Sequence, residues 1–264
     1  MPITKTSNYD IFYIDEGDGI PLFFIHGLAG DHRAWLNQIT YFKSKYRVIA
    51  IDNPGSGDSS PVTKPCSTQD LANTMLEVIE NLAINEAHIV GRSLGGFISQ
   101  QMAKSRPDVV KSLVISASAA KVDNIGARIL KNMKEILYWR DNWTEWARHS
   151  AHLFFSPKFF NDNPNVVKAV EEIVGEENRS KESYFHLNDT ALAHDFRAQL
   201  SSIKCPTLIM AGLFDPICSI ECAYEMKDNI PNSELAIFEN SSHFLLVEEY
   251  EKAIKMLDNW FANN

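Results

Sequence analysis

The sequence lacks long apolar runs, clusters of basic residues and cysteine-rich motifs, and each absence excludes a class of protein. No apolar run approaches the roughly 20 residues that a membrane-spanning helix needs. Residues 1–10 contain no apolar stretch of the length found in signal peptides. From these two absences we expect a cytoplasmic protein with no membrane partner.

Basic residues are outnumbered and scattered. The chain has 25 Lys and Arg against 34 Asp and Glu, for a formal net charge of -9 at pH 7. Because nucleic-acid binding needs a concentrated basic surface, we expect no nucleic-acid partner. The negative charge favours solubility but does not identify a substrate.

The four cysteines, Cys66, Cys205, Cys218 and Cys222, are scattered along the chain. Cys218 and Cys222 are four residues apart, but no further His or Cys motif accompanies them as metal sites require. The pattern is typical of reduced thiols in a cytoplasmic protein. We therefore expect neither a metal nor a cofactor.

Short apolar runs alternate with segments of helical periodicity. The runs lie at residues 22–25, 48–51, 88–90, 113–115, 207–210 and 235–238. Apolar residues at helical spacing predict helices over 67–82, with Ser67 or Thr68 as N-cap, and over 249–261. This alternation predicts an α/β protein with a doubly wound, mostly parallel sheet covered on both faces. Residues 8–14 alternate well enough to predict an antiparallel edge strand.

One long segment breaks the alternation. Residues 121–189 contain no strand-like run and are rich in aromatic residues. We interpret this segment as a helical cap subdomain inserted into a core domain formed by residues 1–120 and 190–264. The cap is expected to pack over one edge of the sheet.

The strongest chemical signal is the pentapeptide Gly91-Arg92-Ser93-Leu94-Gly95, directly after a strand-like run. A G-x-S-x-G sequence at a strand-to-helix turn matches the nucleophile elbow, in which a strained backbone lifts the serine hydroxyl clear of the sheet. The two glycines remove side chains that would collide where strand and helix cross. Ser93 is therefore the candidate nucleophile.

A second loop supplies candidate donors for an oxyanion. Residues 24–30 follow an earlier strand and contain two glycines that permit close approach. Acyl transfer needs two N–H donors for the developing negative charge, and we assign them to the backbone amides of Leu28 and Leu94. His26 is interpreted as a residue that braces this loop.

The base and its orienting acid are sought in loops that follow later strands. His243 lies in a polar loop after the last strand, and Asp215 directly follows the preceding one. Both loops open at the carboxyl edge of the sheet, where functional groups of open α/β sheets gather. The chain order Ser93, Asp215, His243 is the order of triad residues that accompanies a nucleophile elbow. The alternative for Asp215 is a purely structural cap of the helix that begins near Ser219.

With these motifs in place, the sequence resembles the α/β-hydrolase superfamily over essentially its whole length. The resemblance rests on residues 26–27, 52–59, 91–95, Asp215 and His243. It implies that residues 121–189 form the cap over the active site, and it is greatest for the enol-lactonase, aminoacrylate-hydrolase and small-carboxylesterase branch. One departure is Arg92, where the family commonly has His. We expect Arg92 to pair with a nearby carboxylate, with substrate binding as the alternative.

The predicted function is hydrolysis of a small-molecule carboxylic ester with a small to medium apolar acyl group, through an acyl-enzyme. Aromatic residues expected to line the pocket are Trp139, Trp143, Phe154, Phe155 and Phe244. A lactonase or an aminoacrylate- or amide-cleaving enzyme would use the same triad. A non-catalytic receptor for a small ligand is the alternative of another class. Oligomeric state is not readable from the sequence, and a homodimer stays open.

Overall fold

The computed structural model of the protein describes residues 2–176 and 179–264, in which eight strands and eleven α-helices are present. The strands are β1 (Ile3–Lys5), β2 (Asp10–Glu16), β3 (Pro21–Ile25), β4 (Arg47–Ile51), β5 (Ala87–Arg92), β6 (Val110–Ser116), β7 (Thr207–Gly212) and β8 (Ser233–Phe238). The helices are α1 (Leu36–Phe42), α2 (Thr68–Asn81), α3 (Leu94–Ser105), α4 (Asn124–Arg140), α5 (Trp143–Phe154), α6 (Pro157–Asp162), α7 (Pro164–Val174), α8 (Lys181–Ala193), α9 (Ile220–Asn229), α10 (Leu245–Glu248) and α11 (Tyr250–Asn263).

The strands form one sheet in the order β1-β2-β4-β3-β5-β6-β7-β8. Strands β3 to β8 pair in parallel, and β2 pairs antiparallel with β4. The predicted fold class is confirmed, but the prediction that residues 8–14 form the edge was wrong. The short strand β1 lies outside β2, with Ile3 opposite Phe12. A three-residue strand is too short to give a recognisable alternation in sequence.

The parallel strands are apolar on both faces because helices cover both faces. On β3, Phe23 and Ile25 belong to the hydrophobic cluster that includes α2 and α3. Leu22 and Phe24 belong to the second cluster, which includes residues of α1 and α11. Side chains alternate across a strand, so a continuous apolar run supplies both clusters at once.

Helix α2 begins where its sequence predicts. Ser67 accepts a hydrogen bond from the backbone N–H of Asp70, and the Asp70 carboxylate accepts one from the backbone N–H of Ser67. This capping box satisfies two amides that would otherwise have no partner in the first turn. The helix packs on α3, the helix that begins immediately after Ser93.

Helices α4 to α8 lie between β6 and β7, and we refer to them as the helical insertion. Helix α8 continues to Ala193 and passes through residue 189, the predicted end of the cap. Trp146 and Tyr184 lie buried in the insertion, in edge-on ring contact. The indole N–H of Trp146 donates to the carbonyl of Met133 and fixes α5 against α4.

In the described ranges, no helix is both long and apolar enough to cross a membrane, and no cluster of His, Cys, Asp and Glu could hold a metal ion. The parallel register brings the carboxyl ends of β3, β5, β7 and β8 to one edge of the sheet. The loops that carry Leu28, Ser93, Asp215 and His243 all leave from that edge.

Candidate active site

Ser93 occupies a strained turn between β5 and α3. Its φ of 53° lies in the left-handed region, which non-glycine residues rarely adopt. The backbone around it is fully engaged: Ser93 N donates to the carbonyl of Ser116, and its own carbonyl accepts from Gly96 N and Ser118 Oγ. Strain of this kind persists only where the surroundings over-determine it. The half-buried Ser93 side chain is thereby held at the floor of a cavity.

The two glycines of the elbow are required by close packing. A Cβ on Gly95 would lie 2.1 Å from the carbonyl oxygen of Ile25, and one on Gly91 would lie 2.3 Å from the carbonyl oxygen of Gly95. Both contacts are with backbone, which cannot move aside. The predicted reason for these glycines is confirmed.

His243 and Asp215 lie together as the sequence predicts. The distance between His243 Nδ1 and Asp215 Oδ2 is 2.7 Å, and both residues are buried. The other carboxylate oxygen, Oδ1, accepts hydrogen bonds from the backbone amides of Ile217 and Cys218. In the neutral tautomer whose Nδ1 donates to Asp215, Nε2 is the ring atom that can accept a hydrogen bond. His243 and Ser93 line the same cavity.

Asp215 also has a structural role, since its Oδ1 accepts from two backbone amides of the turn at residues 217–218. It does not cap α9, however, because the N-cap of that helix is Ser219. The carboxylate therefore serves the turn with one oxygen and the imidazole with the other.

The loop that carries His243 is tied to the helical insertion. The carboxylate of Glu248 accepts hydrogen bonds from Ser242 N and Ser156 N, and Phe244 N donates to the carbonyl of Phe154. Burial raises the pKa of Glu248. Nothing in the sequence pattern singled out Glu248, which lies five residues after His243 at the end of the short helix α10.

The loop after β3 is braced by His26, as predicted. Its Nε2 accepts from the backbone N–H of Asn53, so Nδ1 carries the proton and donates to the carbonyl of Gly27 at 2.7 Å. Burial lowers the pKa of His26 and keeps the ring neutral. The loop lies directly above the elbow: a Cβ on Gly27 would stand 3.0 Å from the Cβ of Ser93.

The two predicted oxyanion donors lie on the loop after β3 and on the elbow, one on each. Leu28 lines the cavity, and Leu94 is the first residue of α3. The first four N–H groups of a helix have no intrahelical acceptor. The N-terminus of a helix also favours negative charge, so the amide of Leu94 is suited to an anion forming beside Ser93.

The cavity above Ser93 has a volume of about 480 Å³. Most of its lining is apolar and comes from the helical insertion and the loop after β8. Leu130 and Met133 of α4, Trp146 and Phe154 of α5, Val166, Ala169, Val170, Ile173 and Val174 of α7, and Phe244 and Val247 contribute apolar lining. Of the aromatic residues predicted for the pocket, Phe154 and Phe244 line this cavity.

The other three predicted pocket residues lie elsewhere. Trp139 is 77% exposed near the end of α4. Trp143 is buried against Trp146 and lines a separate cavity of about 380 Å³. Phe155 is buried and packs on Phe159 and Phe244 without lining the cavity above Ser93. Their placement depends on how each helix is rotated in the insertion, which composition does not specify.

A network of ion pairs lies at the edge of the cavity. The buried carboxylate of Asp31 accepts from Arg33 Nε and Nη2 and from Arg179 Nη2, and Arg33 also forms a two-pronged pair with Glu176. Burial acts to raise the pKa of Asp31, but the two guanidiniums outweigh it and hold that pKa well below its usual range. Arg33 and Arg179 are thus paired with carboxylates of the protein itself.

Arg92 has no such partner. The residue is only 8% exposed, yet in the described part of the chain its side chain forms no hydrogen bond or ion pair. The prediction that Arg92 pairs with a nearby carboxylate was wrong, because Asp31 is engaged by the other two arginines. The Cζ atom instead lies 4.7 Å from the ring centroid of Phe244. Burial lowers the pKa of Arg92 to about 10, so the side chain is still charged at neutral pH.

His32 and Asp52 form a hydrogen-bonded pair that should make the stability of the fold depend on pH. His32 Nδ1 lies 2.9 Å from Oδ1 of the fully buried Asp52. This hydrogen bond raises the pKa of His32 above its value in the unfolded chain. Protonation therefore stabilises the fold in full below about pH 6.5, and the contribution is lost as the pH rises through the raised pKa.

We expect His32→Gln to lower the free energy of unfolding by about 1 kcal/mol more at about pH 5.5 than at about pH 9. Urea unfolding at the two pH values measures the difference. His149→Gln, which removes an exposed histidine, is the matched control and should show no pH-dependent difference. An equal effect of His32→Gln at both pH values would contradict the proton linkage.

Comparison with known proteins agrees with the fold. A family model described as the alpha/beta hydrolase fold matches residues 20–250. The chain is 29% identical over 242 residues to 3-oxoadipate enol-lactonase 2 of Acinetobacter baylyi, covering 92% of this chain and 88% of the relative. It is 26% identical over 277 residues to (E)-2-((N-methylformamido)methylene)succinate hydrolase of the same organism, covering 98% of each. The crystal structure of MGS-M2, an α/β hydrolase from a Medee basin deep-sea metagenome library, superimposes with a TM-score of 0.92 at 20% identity and covers 99% of this chain and 97% of that one.

Proposed function

This chain belongs to the α/β-hydrolase fold family, and we propose that it is a serine hydrolase that cleaves carboxylic esters through an acyl-enzyme intermediate. One observation carries the proposal. An imidazole oriented by a buried carboxylate at 2.7 Å shares a cavity with a serine on a strained elbow.

In the proposed mechanism, His243 Nε2 takes the proton of Ser93 as Oγ attacks the ester carbonyl. The amides of Leu28 and Leu94 stabilise the oxyanion of the tetrahedral intermediate. His243 then gives its proton to the leaving alcohol, which departs and leaves an acyl group on Ser93. Water, deprotonated by the same imidazole, attacks the acyl carbonyl; the bond to Ser93 Oγ breaks, the imidazole returns the proton to Oγ, and the acid is released.

The cavity supports a small to medium apolar acyl group. Its volume of about 480 Å³ is in the range of small-molecule sites. Apolar side chains of α4, α5 and α7 form much of the lining, so alkyl or aryl carbon on the substrate would be removed from water there. Each CH₂ buried in this way contributes roughly 0.8 kcal/mol.

A second candidate is a lactonase or an aminoacrylate- or amide-cleaving enzyme with the same triad. It is favoured by the relatives, since one is named an enol-lactonase and another a hydrolase of a methylformamido-methylene succinate. A receptor that binds a small ligand in this cavity without catalysis is the alternative outside enzymology. The Asp215–His243 pair in the same cavity as Ser93 favours catalysis, because a carboxylate-oriented imidazole is the arrangement that activates a serine.

A substrate panel combined with active-site labelling tests the proposal. We expect p-nitrophenyl esters of two- to eight-carbon acyl chains to be hydrolysed, with kcat/KM rising with chain length until the cavity is full. A fluorophosphonate probe should label Ser93, as mass spectrometry of the peptide would establish. Turnover of lactones and anilides at the same concentrations, compared with turnover of the esters, tests the second candidate. Absence of both labelling and turnover would support the receptor instead.

A further inference from the structure

Arg92 has no role in the proposed mechanism. The residue lines the cavity that contains Ser93 and immediately precedes it in sequence. A charge of this kind is costly to bury unless it is paired. Within the described residues its Nε has no hydrogen-bond partner at all.

The carboxylates nearby are already neutralised. Asp31 is held by both Arg33 and Arg179, and Glu176 is held by Arg33. Together these three arginines and two carboxylates give one excess positive charge, and Arg92 is the member without an acid. The ring of Phe244 gives some compensation through a cation–π contact, but an aromatic face leaves the five N–H donors of a guanidinium unused.

From this arrangement we propose that Arg92 binds a carboxylate on the substrate, so that the preferred ester carries an apolar chain ending in an acid. Dicarboxylic acid hemi-esters have this chemistry. The guanidinium matches a carboxylate in shape, since its planar fork forms two parallel hydrogen bonds. The inference rests on the proposed function and narrows its substrate class: the apolar lining receives the chain, and Arg92 receives its charged end.

Substrates matched in shape and differing in charge test this. We compare the ethyl hemi-esters of succinate, glutarate and adipate with the corresponding ethyl ester amides, in which –CONH₂ replaces –COO⁻. For the wild-type protein, kcat/KM for the hemi-ester should exceed that for its amide by at least about 10-fold at one chain length, because charge-assisted hydrogen bonds are about twice as strong as neutral ones. The preference should appear mainly in KM.

Three variants separate a binding role from a structural one. Arg92→Met should reduce the hemi-ester preference to about twofold or less, and Arg92→Lys should retain part of it because the charge remains without the fork. Arg148→Met removes one positive charge from an exposed position on α5 and should leave the preference unchanged. A purely structural Arg92 would change stability and the turnover of both substrates together, with the ratio intact.

Binding provides a readout independent of turnover. In the Ser93→Ala background, calorimetry should show the hemi-ester binding at least about 10-fold more tightly than in Ser93→Ala/Arg92→Met. Turnover of neutral esters with no hemi-ester preference at any length would overturn the inference and leave the proposed function standing. Failure of Ser93 to label or to turn over any ester would overturn the proposed function. Equal hemi-ester binding with and without Arg92 would overturn the inference in either case.

Discussion

Replacing Ser93 with alanine is expected to lower kcat for ester hydrolysis by at least about 10⁴-fold, since loss of a triad nucleophile removes the whole covalent pathway. The residual rate should come from binding and from the amides of Leu28 and Leu94. The variant should fold, because the hydrogen bonds that hold the elbow involve the backbone of Ser93 and not its hydroxyl. Steady-state kinetics with a p-nitrophenyl ester measures the loss.

Ser105→Ala is the matched control for this change. Ser105 is exposed at the last turn of the same helix, far along it from the elbow, and its removal should leave kcat within about twofold. Circular dichroism and the melting temperature of both variants establish that they fold. Near-normal turnover by folded Ser93→Ala protein would remove Ser93 from the mechanism.

Asp215→Asn is expected to lower kcat by about 10³- to 10⁴-fold with little change in KM. The structure gives a specific reason. Oδ1 accepts hydrogen bonds from the amides of Ile217 and Cys218, so the –NH₂ group of asparagine cannot occupy that position. It must face His243, where it donates to Nδ1 and forces the proton onto Nε2, the atom that should accept from Ser93.

The rate of labelling by a fluorophosphonate probe provides a second measurement of the same effect, because it depends on Ser93 being activated. Asp228→Asn, which neutralises an exposed acid on α9, is the control and should label at the wild-type rate. Asp215→Ala differs in that it also removes the acceptor for the turn at 217–218, and it should lower the melting temperature more than Asp215→Asn. Rapid labelling of Asp215→Asn would show that Asp215 does not orient the base.

Much of the fold follows from local sequence because each parallel strand is a short apolar run bounded by turn residues. The loops with Ser93, Asp215 and His243 follow such strands directly, so sheet topology alone brings them to one edge. The Asp215–His243 contact joins residues 28 positions apart, and it is predictable because both loops leave the neighbouring strands β7 and β8.

The pocket was less predictable because its lining depends on helix rotation. In α4, Leu130, Met133 and Leu137 share the buried face at helical spacing. Trp139 falls off that face and is exposed, despite being the largest apolar side chain on the helix. The spacing of α4 therefore carried the relevant signal, whereas the count of aromatic residues did not.

Ion pairs between residues far apart in the chain could not be predicted from the sequence. Arg33 and Glu176 are separated by 143 positions, and nothing local to either residue identifies the other. Asp31, the carboxylate that could have paired with Arg92, is bound by Arg33, two positions away, and by Arg179, 148 positions away. A buried unpaired charge is a property of the assembled structure.

The attachment of the His243 loop to the end of α5 has a mechanical consequence. The carbonyl of Phe154 and the amide of Ser156, through Glu248, hold the strand-end segment that carries the imidazole. An outward movement of α5 would therefore displace His243 relative to Ser93. Removal of the helical insertion would therefore also remove the groups that position the His243 loop.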